Sequence, residues 1–137
     1  MKGFIFSFVL FLSISAIAQN SETKSFHRVK QFFYSKSYIC IEKHKTCIIF
    51  LDLDKVELNL ADHLLPLKQI ELFYVYYSDW GKSYYVQFRC IDGSCIYESG
   101  NRKYVRAFGV PFRTKSDCYK FINLVTELRK HVLASQN

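Results

Sequence analysis

From Lys115 to Leu133 the apolar residues recur at three- and four-residue steps, so that Cys118, Phe121, Ile122, Val125, Leu128 and Val132 share one helical face. Thr114 and Asp117 stand in capping-box spacing, and Arg129, Lys130 and His131 occupy the last turns, where the helix dipole favours positive charge. The spacing predicts an amphipathic helix over 115–133 whose apolar stripe has to be covered. Strand-length runs ahead of it supply the cover. Candidate strands lie at Tyr38–Glu42, Thr46–Leu51, Lys55–Leu60, Ile70–Tyr77, Ser83–Ile91, Cys95–Glu98 and near Tyr104–Phe108, separated by Asp-, Gly- and Pro-bearing turns. Asp62–Lys68, with Pro66 inside it, reads as a connection. Phe26–Tyr34 carries apolar residues at 26, 29, 32 and 33, a spacing open to a helix or to a bent first strand, and the polar 19–25 stretch reads as a flexible arm. The expected fold is α+β: a mainly antiparallel sheet or barrel of about seven strands, closed by one C-terminal helix, in a single domain over 26–137.

The first segment has a different pattern. Lys2 precedes an almost unbroken apolar run from Phe4 to Ile14, and Ala16-Ile17-Ala18 provides the small-x-small site of a secretory signal peptide over 1–18, cleaved after Ala18. The run is shorter than the roughly 20 residues a spanning helix needs, and the later apolar runs are strand-length, so no transmembrane segment is expected after cleavage. A secreted or periplasmic protein follows. Of 19 basic and 12 acidic residues the leader holds only Lys2, so the exported chain stays strongly basic. That balance suits an unidentified protein, a glycan or an anionic envelope surface as partner, while nucleic acid is a poor fit for an exported chain.

All five cysteines lie beyond the leader, in a compartment that lets them pair. Cys90-Ile91-Asp92-Gly93-Ser94-Cys95 places Asp-Gly, the favoured two-residue hairpin turn, between two alternating runs. Such a turn would pair Ile91 with Ser94 and bring Cys90 and Cys95 opposite each other within disulfide range. Cys40 and Cys47 flank a second turn through Lys43-His44 and form a possible second bridge. Cys118 is left over on the apolar face of the terminal helix, as a buried thiol.

About seven short strands closed by one C-terminal helix resembles the pleckstrin-homology-like superfold over most of 26–133, in element order rather than in any motif. Cys118-Tyr119-Lys120-Phe121-Ile122-Asn123-Leu124 looks like the helix that plugs one end of such a barrel, and Phe108–Arg113 like its last strand and lead-in. Lipid-binding members use basic residues in and after the first hairpin loop, and Lys43-His44-Lys45 holds a comparable place. The resemblance implies a binding module without naming a ligand.

Catalytic signatures are absent from the sequence: there is no Gly-x-Ser-x-Gly, His-Glu-x-x-His, P-loop or Cys-x-x-Cys. His27, His44, His63 and His131 do not stand at ligand spacing, so neither a metal nor another cofactor is expected. Asp52-Leu53-Asp54 lacks the rest of a calcium loop and reads as a turn. What remains is aromatic. Tyr74, Tyr76, Tyr77, Trp80, Tyr84 and Tyr85 cluster on one hairpin, with Trp80 at its tip beside Gly81 and Lys82. Tyr85, Gln87 and Arg89 alternate on what should be the outer face of the next strand. The sequence thus predicts a non-catalytic binding module with contacts at Trp80, Lys82, Tyr85, Gln87 and Arg89, and at Lys43, His44 and Lys45. The alternative is a thiol–disulfide redox protein using Cys90 and Cys95.

Overall fold

The computed structural model describes residues 21–42 and 47–136. The expected leader with its cleavage site, and residues Lys43, His44 and Lys45 of the expected turn, lie outside them. Helix α1 covers 21–36 within the described residues, and is followed by a single turn, α2 (Tyr38–Glu42). Then come β1 (Ile49–Asp52), β2 (Glu57–Leu60), β3 (His63–Pro66), β4 (Ile70–Ser78), β5 (Ser83–Cys90), β6 (Ile96–Glu98), β7 (Lys103–Val105) and β8 (Ala107–Phe112), and finally α3 (Lys115–Ser135). The class is α+β, as expected.

The eight strands form two separate antiparallel sheets, one of five strands in the order β1-β2-β3-β6-β7 and one of three in the order β4-β5-β8. They do not close into the barrel that the sequence left as an option. Three hairpin loops share one design. Asp52 pairs with Glu57, Ser78 with Ser83 and Glu98 with Lys103, and each four-residue loop ends on a residue with left-handed φ: Val56 (54°), Lys82 (47°) and Arg102 (52°). Four-residue hairpin loops built on a type I turn need one such residue to re-enter the second strand.

Helix α3 lies against β4, β5 and β8. Thr114 caps it by accepting from the Asp117 amide at 3.0 Å, and Cys118, Phe121, Val125, Leu128 and Val132 are buried along the predicted stripe. Phe121 is the hub: its ring meets Phe33, Phe88 and Phe112 at centroid distances of 5.7, 6.0 and 5.0 Å. The open choice for 26–34 resolves as helix, since Val29 and Phe33, four residues apart, are fully buried there. Residues 21–25, expected as part of a loose arm, are helical too, with Glu22 and Ser25 buried.

Two further expectations are corrected. Tyr38–Glu42 is a helical turn and not a strand, because Ser37 caps it: its hydroxyl accepts from the Ile39 amide, and its carbonyl accepts from Cys40 and Ile41. Residues 63–66 form a central strand instead of a connection. Pro66 is tolerated at the last position, where a strand can do without a ladder donor.

The predicted Asp92-Gly93 hairpin is also absent. Strand β5 is the middle strand of its sheet, paired on one side with β4 and on the other with β8, so no edge is left for the chain returning from Gly93. That chain crosses to the other sheet, where β6 pairs with β3 and β7. Cys90 and Cys95 are nevertheless bonded, with Cα atoms 5.8 Å apart, and the bridge joins the two sheets. Cys40 and Cys47 form the second disulfide and tie α2 to the start of β1. Cys118 is free and buried.

Candidate functional site

The long β4–β5 hairpin supplies most of the predicted contact residues. Trp80 stands at its tip with its surface wholly exposed, and no neighbouring tyrosine folds over it. Below the tip, Tyr85 stacks on Tyr76 at 5.4 Å, and Tyr77 meets Tyr84 edge-on at 5.1 Å from the opposite face. The Tyr76–Tyr85 pair is seated by two glycines. A Cβ at Gly81 would collide with the Tyr85 hydroxyl, and one at Gly109 would approach the Tyr76 hydroxyl to 3.0 Å and the Tyr85 ring to 3.3 Å.

Around this stack the structure opens a cleft of ≈ 420 Å³ lined by Tyr38, Gly81, Lys82, Ser83, Tyr85 and Pro111. Lys82 and Tyr85 are therefore brought together as the sequence suggested, with Trp80 beside them in the loop. Gln87 and Arg89 continue down the same face of β5, opposite Gly109 and Ala107. Arg89 is exposed, whereas Gln87 is half-buried with a shielded Oε1 that has no hydrogen-bond partner among the described residues.

Sequence reasoning missed Tyr38 and Pro111. The sequence pattern places Tyr38 in a strand, and nothing in it points to the one-turn helix that delivers Tyr38 to the hairpin. Pro111 becomes visible only through register, opposite Tyr85. Lys43, His44 and Lys45 lie outside the described residues.

The second candidate chemistry, the cysteines, has a different setting. Cys90 is 5% exposed, and its sulfur accepts from the Cys95 amide at 2.9 Å. Cys95 lines a smaller cleft of ≈ 290 Å³ with Lys55, Glu57, Leu64, Pro66, Tyr97 and Tyr104, on the outer side of the five-stranded sheet. Burial, aided by the Asp117 carboxylate, pushes the Cys118 thiol up to about 11. A thiol that protonated is a poor nucleophile. His63 is half-buried, stacked on Phe108 at 3.7 Å and 3.4 Å from the Glu98 carboxylate. Burial lowers its pKa, against the opposing pull of Glu98 and Asp62.

Among the described residues no group of three or more His, Cys, Asp or Glu could hold a metal ion, and no helix is long and apolar enough to cross a membrane. The fold and the two bridges define a class, a disulfide-braced α+β domain of two antiparallel sheets backed by a C-terminal helix. Comparison with protein-family models, curated proteins and solved structures gives no match.

Proposed function

We propose that this chain is an exported binding module without chemistry of its own, and that it engages its partner through the outer face of the three-stranded sheet around Trp80. The carrying observation is the complete exposure of that indole beside a cleft floored by Tyr85 and Pro111. A large ring held in water at the tip of a hairpin offers contact area at little entropic cost, the property of interface anchors. Lys82 within the cleft and Arg89 further along the face suit a partner with anionic groups: a protein, a glycan or an anionic envelope surface. Export rests on the leader pattern, with cleavage after Ala18, and the two disulfides are compatible with a secreted or periplasmic protein.

The thiol–disulfide alternative has less support: Cys90 is buried, so an attacking thiolate could reach the bridge only from the Cys95 side. Trp80 is the single tryptophan of the chain, so its fluorescence reports on the proposed surface alone. Titration with acidic proteins, envelope glycans and anionic vesicles should shift that emission for one class, and Lys82→Glu should weaken the same binding. A ligand that binds without moving the Trp80 signal would place the contact elsewhere.

A further inference from the structure

The two disulfides of this chain meet solvent differently. Cys40 and Cys47 are 2% and 7% exposed, so both halves of that bridge are covered. The Cys90–Cys95 bridge is asymmetric: Cys90 is buried, whereas Cys95 is half-buried and lines the ≈ 290 Å³ cleft on the outer side of the five-stranded sheet. The segment between them, Ile91–Ser94, is exposed at all four residues. One half of this bridge is therefore open to water while the other stays covered.

The surroundings also suit the opened form. The Cys95 amide donates to Cys90 Sγ at 2.9 Å, which stabilises negative charge on that sulfur when the bond breaks. Cys90 Sγ stands 3.6 Å from the Val105 carbonyl oxygen, and Cys95 Sγ 3.8 Å from that of Gln69. A disulfide sulfur has no proton to give, so these contacts contribute no hydrogen bond to the intact bridge. Each thiol formed by reduction has an acceptor already beside it. The backbone around the bridge is held independently: the Cys90 amide donates to the Arg106 carbonyl at 2.9 Å, and the Ile91 amide to the Gln69 carbonyl at 2.8 Å. Opening the bond leaves both of these in place.

We propose that the Cys90–Cys95 bridge is a site of reversible thiol–disulfide exchange, entered at Cys95 by a small external thiol. In the first step the external thiolate attacks Cys95 Sγ from the cleft and bonds to it; the Sγ–Sγ bond breaks, and Cys90 leaves with the electron pair as a thiolate that accepts from the Cys95 amide. In the second, another thiolate attacks the external sulfur of this mixed disulfide, which releases Cys95 and gives the external disulfide. Two external thiols are thus oxidised to one disulfide, the bridge takes up two electrons, and the thiol protons pass through water to Cys90 and Cys95. The reverse sequence closes the link. On the cleft wall Lys55 attracts an incoming thiolate and Glu57 opposes it. A small thiol is the fitting class because the cleft lies at the low end of ligand-pocket volumes. The chain catalyses nothing in this exchange; it is acted upon, and what changes is the disulfide tie between its two sheets.

The disulfide-intact chain is treated with 2-mercaptoethanol under native conditions, quenched with acid, alkylated and mapped by peptide mass. Cys90 and Cys95 should be labelled at least about tenfold faster than Cys40 and Cys47, with the circular dichroism spectrum unchanged. Urea below the unfolding transition should leave that rate unaltered, since the attack needs no unfolding. Transfer of the reduced chain into 2-hydroxyethyl disulfide should re-form the bridge. Two variants read which sulfur is entered: the Cys95 thiol of Cys90→Ser should react with a small aromatic disulfide at least about tenfold faster than the Cys90 thiol of Cys95→Ser. Cys118 is buried and common to both. Mapping of the parent needs no substitution, so it decides the matter where a variant fails to fold. Equal opening of the two bridges, a rate that climbs with urea as global unfolding does, or folded variants in which Cys90 reacts as fast as Cys95 would each overturn the proposal.

Discussion

The two sheets of this domain are built by different means. The three-stranded sheet has long strands of nine, eight and six residues, and helix α3 lies along it with Phe121 seated against Phe88 and Phe112. The five-stranded sheet has strands of only three or four residues. Its inner side holds Ile49, Leu58, Leu60, Leu65 and Ile96 against the core, while Phe50 and Tyr104 stand exposed on its other side. One sheet is held by a helix and a ring cluster. The other depends on tight hairpin loops, on the Cys90–Cys95 link to its neighbour and on the stack of His63 on Phe108.

That contrast can be broken most forcefully at Phe121. Phe121→Ala removes a fully buried ring from the junction of α1, α3 and the three-stranded sheet and should cost about 3–5 kcal/mol. Denaturant unfolding measures the loss, and hydrogen exchange should show the amides of β4, β5 and β8 opening first. Equal loss of protection in both sheets would mean that they unfold as one unit.

A smaller effect is expected from the link between the sheets. Cys90→Ser opens a loop closed across only five residues of separation, which chain entropy values at about 2 kcal/mol. A variant as stable as the parent would show that the bridge is not a structural staple and would return weight to the redox reading.

The least effect comes from pH acting on the five-stranded sheet. Burial holds the folded-state pKa of His63 below its ordinary 6.5, so the unfolded chain takes up the proton first. The stability that neutral His63 contributes is complete above about pH 6.5 and is lost as pH falls through and below that value. Urea midpoints of the parent should therefore fall more steeply between about pH 7 and about pH 5 than those of His63→Gln. Parallel profiles would remove His63 from the account.

How far these elements could be read from the sequence follows the same divide. Helix α3 and the β4–β5 hairpin are long enough for periodicity to separate a helix from a strand, and they lie where the pattern put them. The short pieces are not. Four apolar residues and a glutamate at 38–42 fit either state, and the choice is made by the Ser37 hydroxyl and carbonyl. Pro66 marks a loop by local rules, yet it sits at the end of a central strand. Asp92-Gly93 is the strongest hairpin signal in the chain and fails because β8, which follows in sequence, has already taken the free edge of β5. The Cys90–Cys95 pairing was legible all the same, because five residues of separation keep the two close whichever way the chain turns. Trp80 and Lys82 were recognisable from their place at the tip of one hairpin and Tyr85 from the alternation along its second strand, whereas Tyr38 and Pro111 reach the same cleft through tertiary contacts that leave no local mark.

Cys118 ends up sealed beneath α3, fully out of contact with solvent. In the folded chain that thiol is too well shielded and too firmly protonated to attack either disulfide. When α3 lifts away on heating, the same sulfur becomes a mobile nucleophile in a chain that also holds two disulfides, and exchange can scramble them before the helix re-docks. Recovery after a thermal scan should thus depend on how long the chain stays hot and on how alkaline the buffer is, which makes the lifetime of the docked helix the practical measure of this protein's durability.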